Sequence, residues 1–124
     1  DKMVNICRSI RDQKEEQSNS AVKKAMLYIQ ENFSKDISLD EVSGQVNISP
    51  YYFSKIFKEE TGENFIEYLT RIRIEKAKEF LKQPEVSVKE AGVKSGYTDP
   101  NYFSRIFKKQ TDMTPSEFKT RYGK

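Results

Sequence analysis

The chain has 124 residues, of which 35% are hydrophobic and 33% charged, and its 22 Lys and Arg against 19 Asp and Glu give a net charge of +3. A single cysteine and the absence of histidine exclude an intramolecular disulfide, the usual zinc sites and histidine-dependent catalysis. No apolar run is long enough to span a bilayer, and residues 1–19 lack the uninterrupted apolar core of a signal peptide. We therefore expect a cytoplasmic protein that is not an enzyme, needs no metal or cofactor and has no membrane partner.

The N-terminal segment 1–19 carries a short amphipathic pattern. Four apolar residues have the spacing of one helical stripe: Met3, Ile6, Cys7 and Ile10. The polar run from Asp12 to Ser20 is typical of a linker. Two interpretations stay open, a terminal helix that packs on the body of the protein or the end of a connecting or dimerising helix. Because the chain starts at Asp1 rather than at methionine, we expect a fragment of a longer protein.

Capping residues predict where the helices of the remaining chain begin. Capping boxes, in which a serine hydroxyl accepts from the amide three residues on and the glutamate reaches back to the serine amide, stand at Ser38–Glu41 and Ser87–Glu90. An N-cap followed by proline at the first helical position occurs at Ser49–Pro50 and Asp99–Pro100. Together with the apolar spacing, these signals predict an all-α fold of seven helices over residues 20–34, 39–46, 50–60, 65–82, 88–95, 100–110 and 115–121.

One sequence motif occurs twice. The run from Tyr52 to Lys58 returns fifty residues later, from Tyr102 to Lys108, with one Lys-to-Arg difference. Two copies predict two equivalent units, and the short turn inside each unit is typical of a helix-turn-helix. The offset is 49 at the capping boxes and 50 at the repeated motif, so the second turn has one extra residue. We divide the chain into a linker (1–19), a first helix-turn-helix subdomain (20–64), a linker helix (65–82) and a second helix-turn-helix subdomain (83–124).

The second helix of each unit has an apolar face and a polar face. Helical spacing turns phenylalanine and isoleucine inward and leaves the opposite face outward. The outward residues are Tyr51, Ser54, Lys55 and Lys58 in one helix, and Asn101, Ser104, Arg105 and Lys108 in the other. Arginine and lysine suit guanine, asparagine suits adenine, and serine suits either. A solvated face is the alternative for one helix alone, but the repetition of this face favours DNA binding.

Tyr52 and Tyr102 allow two interpretations, packing at the edge of the core or groove and direct contact with bases.

The two subdomains differ in their charge balance. Residues 38–64 carry two basic and five acidic groups, whereas residues 83–124 carry eight and five. If both subdomains contact DNA, we expect the second to supply more of the attraction to phosphates.

At these residues the chain resembles the DNA-binding domain of AraC/XylS-type transcription regulators over about residues 20–123. The signature covers the second unit, as Gly96-Tyr97, Asp99, Asn101 to Arg105, Phe107 to Lys109 and Thr114-Pro115. The resemblance implies two helix-turn-helix subdomains joined by a central helix, here Phe65 to Lys82. It also implies base reading by Tyr51, Ser54, Lys55, Asn101, Ser104 and Arg105. We expect contacts with the DNA backbone from Ser49, Lys58, Lys108, Lys109 and Lys119. The chain departs from the family pattern at Asp112, where glycine is usual, and at Phe118-Lys119, where Tyr-Arg is usual.

The resemblance also implies partners. Such domains usually follow an upstream domain, either a sugar-binding cupin-like domain or a phospho-receiver domain, although a short autonomous regulator is a third possibility. The N-terminal stripe favours the response-regulator type, with a homodimer formed through an N-terminal region. We expect promoter DNA with a non-palindromic site read in adjacent major grooves, RNA polymerase as a further partner, and a nucleoid-associated location. The alternative function is a helical adaptor that binds other proteins.

Overall fold

The computed structural model describes residues 20–123, and the stripe predicted between Met3 and Ile10 lies outside that range. Helix α1 covers residues 20–32. The helices that follow are α2 (Leu39–Gln45), α3 (Pro50–Thr61), α4 (Phe65–Leu81), α5 (Val88–Lys94), α6 (Pro100–Thr111) and α7 (Pro115–Tyr122). Over residues 20–123 the fold is all-α, as predicted, and no helix in this range is long and apolar enough to cross a membrane.

The predicted starts of α2 to α7 agree with the structure, while the predicted helix ends differ by one or two residues. The hydroxyls of Ser38 and Ser87 each accept from the amide of the glutamate three residues on, at 3.1 Å. The glutamate side chains differ from the prediction. Glu90 accepts from the Ser87 hydroxyl at 3.3 Å, and Glu41 accepts from the Tyr28 hydroxyl at 2.5 Å. A serine hydroxyl can accept from an amide and donate to a carboxylate at once, so the return bond needs no backbone amide.

The described chain forms two compact units. The first unit combines residues 20–31 with Ile37–Phe65, and the second combines Asn32–Asp36 with residues 66–123. Most of α4 therefore belongs to the second unit, and the short segment after α1 does as well. The boundaries predicted for the subdomains and the linker helix stay predictions.

The core of the first unit is formed by apolar faces of α1, α2 and α3. Ile29 of α1 and Val42 of α2 are fully buried, as are Phe53 and Phe57 of α3. The two phenylalanine rings lie 5.3 Å apart. Fully burying a side chain of this kind contributes about 1.5–3 kcal/mol, so each of these residues contributes a substantial part of the stability of a small unit.

The core of the second unit is one hydrophobic cluster. Its buried residues are Ile74, Ala77, Leu81, Val86, Ala91, Tyr97, Phe103, Phe107 and Phe118. Ala77 and Leu81 of α4 are fully buried, and Phe80 of the same helix is partly buried against the core. Aromatic rings connect the turn to α6 and α7, with centroids 5.5 Å apart for Tyr97 and Phe103 and 5.5 Å for Phe107 and Phe118. These contacts fix α6 against the body of its unit.

The two helix-turn-helix turns share one backbone design. The amide of Ile48 donates to the Ser43 carbonyl at 3.1 Å, and that of Tyr97 donates to the Gly92 carbonyl at 2.8 Å. In both turns the residue before this amide has a left-handed conformation, with φ of 58° at Asn47 and 103° at Gly96. This is the Schellman arrangement that ends a helix. Four residues separate α2 from α3 and five separate α5 from α6, which confirms the extra residue predicted for the second turn.

Candidate nucleic-acid interface

The outward face of α3 is polar and accessible. Tyr51 is 84% exposed, Lys55 and Lys58 are exposed, and Ser54 is half-buried. These four side chains line one open concavity together with Glu59. The structure therefore brings together the residues that the sequence predicted, and it adds a carboxylate beside the lysines. Glu59 lowers the positive charge that this face presents to a phosphate backbone.

The outward face of α6 carries more positive charge. Asn101, Arg105, Lys108 and Lys109 are exposed, and Ser104 is half-buried. Helix α6 contains no acidic residue, because Asp99 and Asp112 are its N-terminal and C-terminal caps. The face therefore combines hydrogen-bond donors for bases with cations for phosphates.

The N-terminal ends of the two helices differ in charge. The Ser49 hydroxyl accepts from the Tyr52 amide at 3.3 Å, and its own O–H can still donate to a phosphate. The Asp99 carboxylate accepts from the Asn101 amide at 3.0 Å. A carboxylate offers only acceptors and repels phosphate, so the predicted backbone contact of Ser49 has no counterpart in α6.

Lys119 is held by main-chain groups. Its ammonium donates to the carbonyls of Leu81 at 3.3 Å and Gln83 at 3.0 Å, at the end of α4. Lysine at a helix C-terminus satisfies carbonyls that lack helical partners and matches the helix dipole. A phosphate contact from Lys119 would compete with these bonds. The sequence did not predict this role, because the acceptors lie 36 and 38 residues earlier in the chain.

Arg73 is a residue that the sequence analysis did not single out. Its Nε donates to the Phe33 carbonyl at 2.8 Å and its Nη2 to the Lys35 carbonyl at 3.0 Å. The guanidinium also lies 5.4 Å from the centre of the Tyr97 ring. Burial raises the pKa of the Tyr97 phenol above its ordinary value of 10.0, while the charge of Arg73 acts in the opposite direction. Arg73 thus connects the segment after α1 with the turn before α6.

Gly96 fits this arrangement for two reasons. Its φ of 103° disfavours any residue with a Cβ atom. A Cβ atom at this position would also lie 2.8 Å from the Phe33 carbonyl oxygen and 2.9 Å from Arg73 Nε. The predicted signature residues Gly96 and Tyr97 therefore both lie close to Arg73.

Tyr52 and Tyr102 lie at the edges of their cores. They are 46% and 47% exposed. The ring of Tyr102 is 5.8 Å from that of Tyr97, and the guanidinium of Arg105 lies 6.0 Å from the centre of the Tyr102 ring. Tyr102 thus contacts a core residue, Tyr97, and also lies beside a predicted base-reading residue, Arg105, which agrees with packing at the edge of the core or groove.

Comparison with known proteins gives a consistent result. A family model described as a helix-turn-helix domain matches residues 42–121. The regulatory protein PocR of Salmonella typhimurium is 34% identical over 101 residues, which are 82% of this chain and 33% of PocR. This chain thus spans about a third of the length of that relative.

Two solved structures are similar over most of their length. The C-terminal domain of AraT, a response regulator from Geobacillus stearothermophilus, has a TM-score of 0.80 at 38% identity, with coverage of 84% of this chain and 87% of that domain. The C-terminal domain of the two-component response regulator yesN from Fusobacterium nucleatum has a TM-score of 0.71 at 31% identity, with coverage of 87% and 98%. The chain therefore belongs to the AraC/XylS type of helix-turn-helix domains, a family of DNA-binding transcription regulators.

Proposed function

We propose that this domain reads a non-palindromic site in double-stranded promoter DNA, with α3 and α6 as recognition helices in adjacent major grooves. The observation that carries the proposal is the outward face of α6. It exposes Asn101, Arg105 and Lys108 while Phe103 and Phe107 of the same helix are buried. A helix with this division of faces can enter a major groove without disturbing its own core.

Base reading is assigned to the exposed and half-buried polar residues of the two helices. Arg105 donates to both acceptors of a guanine, and Asn101 bonds an adenine at two points. Lys55 donates to guanine, and the exposed Tyr51 ring packs on a thymine methyl group. Ser54 and Ser104, which are both half-buried, contact bases only at close approach. Since the two helices present different residues, each reads a different short sequence and the complete site lacks two-fold symmetry.

Backbone contacts are assigned to residues at the ends of these helices. Ser49 donates from the N-terminus of α3, while Lys58, Lys108 and Lys109 neutralise phosphates from the last turns. Lys119 contributes only if it leaves the α4 carbonyls. The acidic balance of the first unit and the basic balance of the second make the second the stronger source of phosphate attraction.

The similarity to the AraT and yesN domains supports a place at the C-terminus of a response-regulator-type protein. In that setting an upstream phospho-receiver domain controls the DNA-binding domain, and residues 1–19 belong to a connecting region that carries the homodimer interface. RNA polymerase is a further partner of the DNA-bound domain at the promoter. The domain performs no catalysis, and its DNA ligand places it on the nucleoid in the cytoplasm.

A spacer series tests the tandem arrangement. A preferred site is selected from random duplexes with the whole chain, and about five base pairs are then inserted between its two halves. The insertion turns one half of the site to the far side of the duplex, so the two units can no longer bind together. The second unit then gains nothing from its high effective concentration, and the affinity of the chain should fall to that of a single unit. Affinity that is indifferent to spacing would contradict tandem reading.

A salt titration separates DNA binding from the adaptor alternative. Binding that neutralises several phosphates weakens steeply as the salt concentration rises. Each neutralised phosphate makes the slope of log K against log salt concentration steeper by about 0.9. A domain that docked on another protein would bind no duplex in this assay. Failure to select any preferred duplex, with only weak sequence-independent binding, would contradict base reading altogether.

A further inference from the structure

Four side chains of the second unit form a continuous row, which we call the Arg73–Arg105 row. It runs from Arg73 through Tyr97 and Tyr102 to Arg105. The successive separations are 5.4 Å from the first guanidinium to the Tyr97 ring, 5.8 Å between the two rings, and 6.0 Å from the Tyr102 ring to the second guanidinium. Each step is a cation–π or aromatic contact within the range where such contacts are attractive.

The inner end of the row is fixed. Two carbonyl groups of the segment after α1 accept from the Arg73 guanidinium, at 2.8 and 3.0 Å. Tyr97 is only 6% exposed and its ring stacks on Phe103 at 5.5 Å, with 28° between the planes. A ring packed against Tyr97 therefore has a firm support on its inner side.

The outer end of the row is exposed. Arg105 has a long side chain that loses much rotamer freedom when it is held in one place. A cation–π contact at an exposed site is attractive enough to favour one orientation of the guanidinium without preventing a hydrogen bond to another group. Base reading by arginine requires a planar, correctly directed guanidinium, so support from a neighbouring ring has a direct use.

We propose that Tyr102 is a positioning residue for base reading, which holds the Arg105 guanidinium above its ring while Tyr97 packs against that ring and Arg73 in turn holds Tyr97. The inference rests on the proposed function of Arg105 and extends it. Specificity at one base pair of the second half-site then depends on side chains that support the base-reading arginine, including one in α4.

The first unit provides a natural control. Tyr52 occupies the position that corresponds to Tyr102 and is exposed to the same extent, 46% against 47%. The position that corresponds to Arg105 holds Lys55, and the one that corresponds to Tyr97 holds Ile48. A lysine ammonium has no plane to orient and an isoleucine has no ring to stack, so Tyr52 should not position a base reader in the same way.

The experiment uses the whole chain and the duplex selected above. The base pair read by Arg105 is the one at which Arg105→Ala loses preference, and the discrimination ratio is the Kd for the duplex with that pair substituted divided by the Kd for the selected duplex. Tyr102→Leu should lower this ratio about 2- to 5-fold, the equivalent of an exposed cation–π contact. Tyr102→Phe, which keeps the ring, should leave the ratio unchanged, and so should Tyr52→Leu.

A double variant sharpens the result. In an Arg105→Ala background, Tyr102→Leu should cause no further loss of discrimination, because its effect passes through the arginine. Tyr102→Gln is the second choice if the leucine variant loses helicity, which circular dichroism checks. At the inner end, Arg73→Gln should lower the same ratio and Arg73→Lys should restore part of it.

Three outcomes would overturn the inference, and they are distinguishable. If Arg105→Ala lowers the ratio but Tyr102→Leu weakens both duplexes equally, Tyr102 has a structural or backbone role and the positioning role fails alone. The same holds if Tyr102→Phe behaves like Tyr102→Leu, since the hydroxyl would then be the active group. If Arg105→Ala changes no base preference, the proposed base reading by Arg105 fails and the positioning role fails with it.

Discussion

The first helix-turn-helix unit begins its recognition helix with Ser49 and ends it with Gly62, whereas the second uses Asp99 and Asp112 at these places. The backbone conformation at the C-terminal cap is nearly the same in the two units. Gly62 has a φ of 80° and Asp112 a φ of 64°, and the amide of each donates to the carbonyl four residues earlier. These caps therefore require a short acceptor at one end and tolerance of the left-handed conformation at the other, and aspartate can supply both.

The last residue of each helix, immediately before its C-terminal cap, makes the same hydrogen bonds in both units. Thr61 donates to the carbonyl of Phe57 at 2.7 Å and Thr111 donates to that of Phe107 at 2.8 Å. Both hydroxyls also accept from the amide two residues on, at 3.2 Å. The threonine hydroxyl thus fixes the chain leaving the helix in both units, whatever residue carries the left-handed turn.

The two units differ more in the charge of their outward faces and in their side-chain contacts than in their backbone conformation. The first unit has Glu59 among the outward residues of α3, while the outward face of α6 is free of carboxylates over its length. The first unit ties α1 to α2 through Tyr28 and Glu41, and the second ties α4 to its turn through Arg73. We infer that the second unit has both the stronger attraction to phosphates and the better supported base reader.

Removal of one buried phenylalanine from each unit tests whether the two cores are equivalent. Phe57 and Phe107 are both fully buried, so alanine at either should lower the free energy of unfolding by about 3–5 kcal/mol. That is a large part of the stability of a small domain. Thermal and urea unfolding followed by circular dichroism measure it, and Tyr51→Ala, at an 84% exposed position, is the control. An unchanged melting temperature for Phe107→Ala would contradict the packing of α6.

A smaller effect tests the left-handed caps. Gly62→Ala places a Cβ atom at a φ of 80° and should destabilise by about 1–2 kcal/mol. Asp112→Gly removes that strain at the equivalent position and should stabilise by up to about 1 kcal/mol. Gly44→Ala is the matched control, because Gly44 lies within α2 with open space around it, and it should stabilise by about 0.5–1 kcal/mol. Destabilisation by Asp112→Gly would show that the aspartate is required for more than its conformation.

The smallest effect tests the electrostatic difference between the units. Lys58 and Lys108 are exposed in the last turns of α3 and α6. If each neutralises one phosphate, alanine at either should reduce the salt dependence of binding by about 0.9 in the logarithmic slope. The measurement is the Kd for one duplex across a salt series, with Lys24→Ala on the exposed face of α1 as the control. A reduced slope for Lys108→Ala but not for Lys58→Ala would show that only the second unit contacts a DNA phosphate from the last turn of its helix.

The amino-acid sequence by itself determined the helix starts and the division of faces. A cap involves residues two to four positions apart, so Ser38 or Asp99 specifies a helix start whatever the rest of the chain does. Helical spacing likewise determined that Phe53 and Phe57 face inward and that Lys55 faces outward. The same local rules identified the residues of the candidate interface. The predicted helix ends differ from the structure by one or two residues, because helix ends depend on several weak interactions.

Tertiary structure alone decided the contacts that join distant parts of the chain. Arg73 binds the carbonyl of Phe33, 40 residues away, and Lys119 binds that of Leu81, 38 residues away. Main-chain carbonyls are present at every residue, so no pattern of side chains marks which of them an arginine or lysine will meet. The support of Arg105 by Tyr102 and Tyr97 also depends on how the turn packs against α6, which only the folded unit fixes. Local hydrogen bonds are encoded within a few residues, whereas these contacts exist only after the chain has brought its distant segments together.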